Sequence, residues 1–138
     1  MGDRPVPHGP LFACEDRARM AAYDLVHLDD FERPFPKWAL ARKSLNISSF
    51  GMNVVELPHG EMIPEHDEVE RDHEEVFITL SGSPTVVIEG QEHPAPAGTF
   101  CRLDPEPQRT VRNDGDDVAT VLIVSAPRTS GYEPMDWA

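Results

Sequence analysis

The chain is poor in basic residues and lacks any long hydrophobic run. Its 138 residues include 12 Lys and Arg against 25 Asp and Glu, a formal net charge of −13. Such a chain repels nucleic-acid phosphates and anionic lipid surfaces, so neither nucleic acid nor membrane is expected as a partner. No apolar segment approaches the roughly 18 residues that a membrane helix needs. Without a basic start followed by an apolar stretch, no secretion signal is indicated, and a cytoplasmic location is the default expectation.

Cysteine is also scarce. Cys14 lies in a proline-containing N-terminal stretch and Cys101 in an expected strand, and neither has a CxxC neighbour. A thiolate metal site or a redox motif is therefore unsupported, and we expect two reduced thiols.

Proline, in contrast, is abundant, and it accompanies a change to period-two patterning after Asn46. Short apolar-alternating runs are bounded there by glycine and proline, which favours an all-β sandwich or barrel. Gly51 is a candidate bulge, and Met52, Val54 and Phe50 are expected to point inward. Glu89-Gly90 and the Asn-Asp-Gly-Asp segment at 113–116 are hairpin signals. Strands are predicted over residues 47–57, 76–80, 85–89, 91–93, 98–103, 109–112 and 118–125.

The segments that flank these strands differ in composition. Residues 1–19 contain three prolines and no sustained period, so we expect a disordered extension, and Met20 could be the true start. Residues 23–28 could form an edge strand. Lys37–Leu45 has the composition of a short helix that ends at Asn46.

Residues 20–138 are expected to form one domain, because the length suits a single core. The core barrel should span about residues 47–125. Residues 126–138 should be a packing tail, in which Tyr132, Met135 and Trp137 contact either the barrel or a dimer mate.

A stretch rich in acids and histidines, residues 60–82, precedes and includes an apolar strand. His66 and His73 lie here among many carboxylates. Imidazoles and carboxylates this close together suit a divalent metal or a proton-transfer site. The alternative is an acidic surface hairpin with incidental histidines.

The spacing of this stretch resembles the first motif of the cupins: Gly, five residues, His-x-His, a short gap, Glu, six residues, Gly. Gly60, His66, Glu75 and Gly82 stand at the matching positions. Pro96-Ala97-Gly98, Asp104-Pro105 and Asn113 resemble the second motif. The resemblance covers about residues 51–124 and indicates a small cupin of the cupin-2 type. It implies an antiparallel jelly-roll β-barrel behind a short N-terminal helix and, by analogy, a homodimer.

The resemblance also implies where a metal would bind, and the chain departs from the family there. Metal-binding cupins use the His-x-His pair, the Glu and a later His; here these positions hold His66, Glu68, Glu75 and Arg109. Arginine offers only donors and cannot ligate a cation. Arg109 could instead anchor a ligand carboxylate or phosphate, or form an internal salt bridge. A register slip of one residue would turn it outward.

The preferred interpretation is a small-molecule-binding cupin that has no tightly held metal and uses Arg109 to orient a polar, possibly anionic, ligand. The expected pocket residues are His66, Glu68, Glu75, Phe77 and Arg109.

The alternative is a metal-dependent enzyme of the dioxygenase, isomerase or decarboxylase type. His73 shares a strand face with Glu75, so His66, Glu68, His73 and Glu75 could hold zinc, iron, nickel or manganese. A third interpretation is a non-catalytic protein with a solidly packed barrel. The sequence names no substrate, and whether the protein is an enzyme stays open.

Overall fold

The computed structural model describes residues 22–138, so the expected extension at 1–19, Cys14 and Met20 lie outside the described residues. A 3-10 turn at Leu28–Asp30 comes first. The elements that follow are β1 (Trp38–Ala39), α1 (Ala41–Leu45), β2 (Gly51–Leu57), β3 (His73–Ser81), β4 (Thr85–Ile88), β5 (Gln91–Pro94), β6 (Phe100–Leu103), β7 (Arg109–Arg112) and β8 (Ala119–Pro127). The predicted all-β fold, preceded by a short helix, is confirmed.

The strands form two antiparallel sheets. A five-stranded sheet has the order β1-β2-β8-β3-β6, and a three-stranded sheet has the order β5-β4-β7. The irregular segment at residues 60–68 extends the smaller sheet beyond β7. Ile63 N donates to Val111 O at 3.1 Å, and His66 and Arg109 exchange backbone hydrogen bonds of 3.0 and 2.8 Å. This pairing places the acid-rich segment along one wall of the barrel.

The barrel interior follows the period of two. On β3, Glu75, Phe77 and Thr79 are buried while Glu74 is exposed. Phe77 lies opposite Ile123 of β8, and both belong to the hydrophobic core. On β2 the core members are Val55 and Leu57. Alternation therefore gives Asn53 the inward phase and places Val54 on the opposite face.

The first predicted hairpin is confirmed and the second is wrong. Glu89 and Gly90 both have positive φ, 50° and 78°, which is the requirement of a type I′ turn between β4 and β5. The Asn-Asp-Gly-Asp segment instead crosses between sheets, because β7 pairs with β4 whereas β8 pairs with β2 and β3. The Asn113 side chain holds this crossover: Nδ2 donates to Leu57 O at 2.7 Å and to Asp117 O at 2.8 Å.

Three local predictions also need correction. Residues 23–27 form no strand, and the edge beside β2 is occupied by β1. The predicted helix is shorter, because Trp38–Ala39 pairs with β2, although Asn46 does end it in the left-handed region with φ 57°. Gly51 is no bulge but pairs in register with Ser125, whose Oγ would lie 2.6 Å from an added Cβ.

No helix in residues 22–138 is long and apolar enough to cross a membrane.

Candidate functional site at one end of the barrel

A cavity of about 250 Å³ opens where β2 and β3 begin and β8 ends. One side of it is apolar and the other carries ionisable side chains, which is a common composition for a small-molecule site. The apolar side includes Trp38, Ile63 and Ile123, and the polar side includes His66, Glu68 and Glu75.

The backbone fixes the polar side chains from two directions. Glu75 points inward because it is in phase with Phe77 on β3, and only 5% of it is exposed. His66 arrives from the opposite wall, where its backbone pairs with Arg109. Glu68 follows two residues later, and its N–H donates to Pro105 O at 2.9 Å. His66 and Glu68 are thus held on the wall that faces Glu75.

Three potential ligand atoms converge in this cavity. His66 Nε2 lies 3.3 Å from Glu68 Oε2 and 3.7 Å from Glu75 Oε1. One such atom from each of the three residues lies within 4.8 Å of the other two. His66 Nδ1 lies 2.9 Å from Pro64 O. Because a carbonyl only accepts, Nδ1 carries a hydrogen, and Nε2 is the nitrogen turned toward the carboxylates.

The carboxylates change the titration of the imidazole. The pKa of His66 is raised above its ordinary value, chiefly by the polar contact with Glu75. Partial burial opposes this rise, while the Pro64 carbonyl and the Glu68 carboxylate add to it. A raised pKa favours the imidazolium, whose second N–H would point at the two carboxylates.

Arg109 points into the barrel and is completely buried. Its terminal nitrogens donate to loop carbonyls: NH1 to Pro107 O at 2.8 Å and Pro105 O at 3.2 Å, and NH2 to Asp104 O at 2.6 Å. Its Nε lies 3.4 Å from Glu75 Oε1. The guanidinium fork therefore organises the 104–107 loop, and only its Nε edge faces the acidic cluster.

The ion pair between Arg109 and Glu75 is imperfect. Among the described residues, Arg109 Nε and Glu75 Oε1 are buried atoms without a hydrogen-bond partner of adequate geometry. Buried polar atoms left in this state are rare and call for an explanation such as a bound water or ligand. Glu75 lines the cavity, with its Oε1 3.7 Å from His66 Nε2, whereas the completely buried Arg109 is not among the lining residues.

The remaining predicted residues lie near this cluster but not in it. His73 lines the cavity on the same strand face as Glu75, yet it is outside the group formed by His66, Glu68 and Glu75. Phe77 is 2% exposed and packs in the hydrophobic core. Sequence reasoning missed Asn53 and Arg71, which line the cavity. The period of β2 would have indicated Asn53, because it is in phase with the core residues of that strand.

The donor set fits a divalent cation, but weakly. His66, Glu68 and Glu75 offer one nitrogen and two carboxylates, a combination that zinc, iron, nickel or manganese accepts. The positive charge of Arg109, 3.4 Å from Glu75 Oε1, opposes such an ion. Two unit charges 4 Å apart interact by about 4 kcal/mol at an effective dielectric near 20. Arg109 therefore offsets roughly the attraction of one carboxylate.

A sequence profile of the cupin domain family matches residues 53–125, more than half of the chain. The chain belongs to the cupin family. In this cupin, the four motif positions His66, Glu68, Glu75 and Arg109 lie together at the end of the barrel. No curated protein sequence matches the chain.

Solved structures show the same fold at low sequence identity. A cupin protein from Bacteroides fragilis is 19% identical, with a TM-score of 0.71 over 85% of this chain and 93% of that one. A sugar phosphate isomerase from a cupin superfamily, from Silicibacter pomeroyi, is 20% identical, with a TM-score of 0.63 over 75% of each chain. A predicted oxalate decarboxylase from Thermotoga maritima is 20% identical, with a TM-score of 0.57 over 65% of this chain and 78% of that one.

Proposed function

We propose that this cupin binds a small polar molecule in the cavity at the barrel end, without a tightly held metal. The observation that carries the proposal is the convergence of His66 Nε2, Glu68 and Glu75 in the cavity, with Glu75 Oε1 facing the buried Arg109 Nε at 3.4 Å. The imidazole can donate and the two carboxylates can accept hydrogen bonds within one small space. A ligand with hydroxyl groups can use both.

The charge balance supports a ligand rather than a resident cation. Glu68 and Glu75 carry two negative charges, against the fixed positive charges of the buried Arg109 and of the exposed Arg71, whose NH1 lies 3.8 Å from Glu68 Oε1. These four charges already sum to zero, and the raised pKa of His66 favours a further positive charge. A neutral cluster gives a divalent ion little net attraction, whereas hydrogen bonding to a polar ligand is unaffected.

The ligand is expected to be small and to bear hydroxyl groups. At about 250 Å³ the cavity is below the range of roughly 300–1,000 Å³ that holds drug-sized molecules. The NH groups of Arg109 are already bound to carbonyls, so this residue acts by positioning Glu75 and not as an anion clamp. A multiply charged anion therefore finds fewer partners than a polyol or a hydroxy acid.

His66 and Glu68 would also permit proton transfer. An imidazolium and a carboxylate at 3.3 Å form an acid–base pair that can donate to one ligand oxygen and accept from another. Proton transfer of this kind would suit an isomerase, and the sugar phosphate isomerase from Silicibacter pomeroyi shares the fold. Sugar-like hydroxy compounds are therefore the first ligands to test.

The second candidate is a metal-dependent enzyme, favoured by the three donor atoms that lie within 4.8 Å. His66, Glu68 and Glu75 would hold the ion, with His73 as a further donor on the same face of β3. A bound divalent ion would act as a Lewis acid on a ligand oxygen.

One experiment separates the two candidates. Metal content is measured by elemental analysis on protein purified without chelator, and D-ribose and glycolate are titrated while amide NMR shifts are followed. His66→Gln and Glu75→Gln test the site, and His93→Gln on β5 is the matched control. We expect less than stoichiometric metal and shifts at the cavity that the two site variants abolish. A stoichiometric metal that both variants remove would favour the enzyme, and no response to either compound would contradict the binding proposal.

A further inference from the structure

Arg71 lies at the mouth of the cavity, on a turn that the backbone holds in place. The turn spans residues 69–72 and joins the acid-rich wall to β3. It is closed by Asp72 N donating to Val69 O at 3.1 Å, and Arg128 N at the end of β8 donates to Asp72 O at 3.0 Å. Arg128 NH2 also donates to Asp72 Oδ1 at 2.6 Å. The main chain at Arg71 is therefore positioned by bonds in which its own side chain takes no part.

The guanidinium of Arg71 has few partners in the protein. It lines the cavity, yet its side chain is 70% exposed. Within residues 22–138 its ion-pair partner is Glu68 alone, with NH1 3.8 Å from Oε1, and this separation is too long for a hydrogen bond. An arginine offers five N–H donors in a planar fork that matches a carboxylate. Arg71 thus has donors to offer a ligand, unlike Arg109, whose terminal nitrogens bind loop carbonyls.

The charges around the cavity favour a singly charged anion. Arg71 is the only lysine or arginine among the described residues that line it. The two carboxylates of the cluster are balanced by Arg71 and the buried Arg109, and the raised pKa of His66 favours one further positive charge. The chain as a whole carries −13 and repels anions from most of its surface. A phosphate monoester, with nearly two negative charges at neutral pH, exceeds the local surplus, whereas one carboxylate matches it.

We propose that Arg71 determines the ligand specificity of this cavity by binding the carboxylate of a small hydroxy acid, whose hydroxyl group reaches His66 and Glu75. The inference rests on the proposed function, because it names the substrate class of the same site. The hydroxyl group donates to Glu75 Oε1 and accepts from a protonated His66 Nε2, two atoms that lie 3.7 Å apart. Glu75 Oε1 is a buried atom without a hydrogen-bond partner among the described residues, so the ligand supplies the donor that it lacks.

The carboxylate of Glu68 does not prevent a second carboxylate from binding Arg71. Glu68 Oε1 faces NH1 of Arg71, which leaves the edge formed by Nε and NH2 for the ligand. Glu68 Oε2 lies 3.3 Å from His66 Nε2. Both oxygens of Glu68 therefore face a cationic group, and this reduces the repulsion of an incoming anion.

Matched titrations of an acid and its neutral amide test the role of Arg71. Glycolate and glycolamide carry the same hydroxyl group and are nearly equal in size, but only glycolate is charged. Dissociation constants from amide NMR shifts should be lower for glycolate. Arg71→Gln should weaken glycolate binding by about tenfold or more, the effect of losing a charged hydrogen-bond partner, and should leave glycolamide binding unchanged. Arg71→Lys keeps the charge without the fork and should give an intermediate loss.

Arg102→Gln is the matched control. Arg102 is also an exposed arginine, at 59%, but it pairs with Glu74 and Asp104 and does not line the cavity. Its replacement removes the same charge from the protein and should leave the dissociation constants of both compounds as in the wild type. Retained glycolamide binding by Arg71→Gln shows that this variant is folded.

The outcomes separate this inference from the proposed function. Equal dissociation constants for glycolate and glycolamide, or equal losses of glycolate binding in Arg71→Gln and Arg102→Gln, would overturn the role of Arg71 while the cavity still binds hydroxyl compounds. Tighter binding of 2-hydroxyethyl phosphate than of glycolate would overturn the carboxylate as the recognised group. If glycolate, glycolamide and D-ribose all left the cavity amides unshifted, the proposed function itself would be contradicted, and this inference with it.

Discussion

Arg109 and Glu75 face each other inside the barrel with Nε and Oε1 3.4 Å apart. At the position that the motif resemblance aligns with a metal-ligating histidine, the chain thus holds a buried cation whose partner is Glu75. His66 contacts the same carboxylate oxygen at 3.7 Å.

Removing the guanidinium should destabilise the fold. Arg109→Met leaves the buried Glu75 carboxylate with His66 alone as its ionic partner and leaves the carbonyls of the 104–107 loop without their donor. Breaking a buried ion pair in this way typically costs about 3–5 kcal/mol of the free energy of unfolding, measurable by urea denaturation. Adding Glu75→Gln to Arg109→Met should recover part of the lost free energy of unfolding, because the buried carboxylate charge is then removed as well. An Arg109→Met variant as stable as the wild type would contradict a structural role for the pair.

Restoring a histidine should create a stronger metal site. Arg109→His removes the repelling charge and adds a nitrogen donor near His66, Glu68 and Glu75. Zinc binding measured by isothermal titration calorimetry should tighten by at least about tenfold relative to Arg109→Leu, which removes the charge without adding a ligand atom. Equal affinity in the two variants would mean that the side chain at 109 does not reach the cluster.

The titration of His66 should depend on Glu75 more than on Glu68. Glu75 is the main cause of the raised pKa, so Glu75→Gln should lower the pKa measured by NMR of the imidazole further than Glu68→Gln. Glu74→Gln, on the exposed face of the same strand, is the matched control and should leave the titration of His66 unchanged. A larger effect from Glu68→Gln would contradict the geometry of the cluster.

The raised pKa of His66 also determines how its contribution to the free energy of unfolding changes with pH. Because the folded state binds this proton more tightly than the unfolded chain, the stabilisation is fully present below the unfolded pKa of about 6.5. It is lost as pH rises through the higher folded pKa. The difference in urea stability between wild type and His66→Gln should therefore be larger at acidic pH than at alkaline pH. If the stability difference between wild type and His66→Gln grew as the pH rose, the raised pKa of His66 in the folded state would be contradicted.

Two glycines with similar φ but different surroundings give a matched stability test. Gly82 and Gly90 have φ of 83° and 78°. A Cβ on Gly82 would lie 2.7 Å from the Ala119 Cα, whereas one on Gly90 would meet nothing within 4 Å. Gly90→Ala should cost only the left-handed penalty of roughly 1–2 kcal/mol. Gly82→Ala should cost at least twice as much in thermal or urea unfolding, because backbone atoms must also move; equal costs would contradict the close approach.

The sequence predicted strands well where a period of two and turn residues agreed, as in β4, β5 and β7. It failed at the 113–116 segment because an Asn-Asp-Gly turn signal is the same whether the chain reverses within a sheet or crosses between sheets. The deciding contact, from Asn113 Nδ2 to Leu57 O, joins residues that are distant in sequence. On β2, Met52 lines the cavity as expected, but Val54 does not, because the inward phase of the strand belongs to Asn53, Val55 and Leu57.

For the candidate site, motif spacing identified residues that lie together. The contacts that each side chain makes could not be predicted from the sequence. Nothing in the sequence says that the Arg109 fork binds carbonyls of residues 104–107, which leaves only its Nε for Glu75. The contact of His66 Nδ1 with Pro64 O, which turns Nε2 toward the carboxylates, depends on the backbone conformation and could not be predicted from the sequence either.

Arg109 makes two independent contacts. Its main chain is hydrogen-bonded to that of His66, and its side chain faces Glu75. A codon change at 109 therefore alters what the carboxylate faces while the imidazole keeps its place, since backbone bonds do not depend on the side chain. One inherited substitution could convert the pocket between ion-holding and ion-free chemistry, at a cost to the 104–107 loop, whose carbonyls the guanidinium binds.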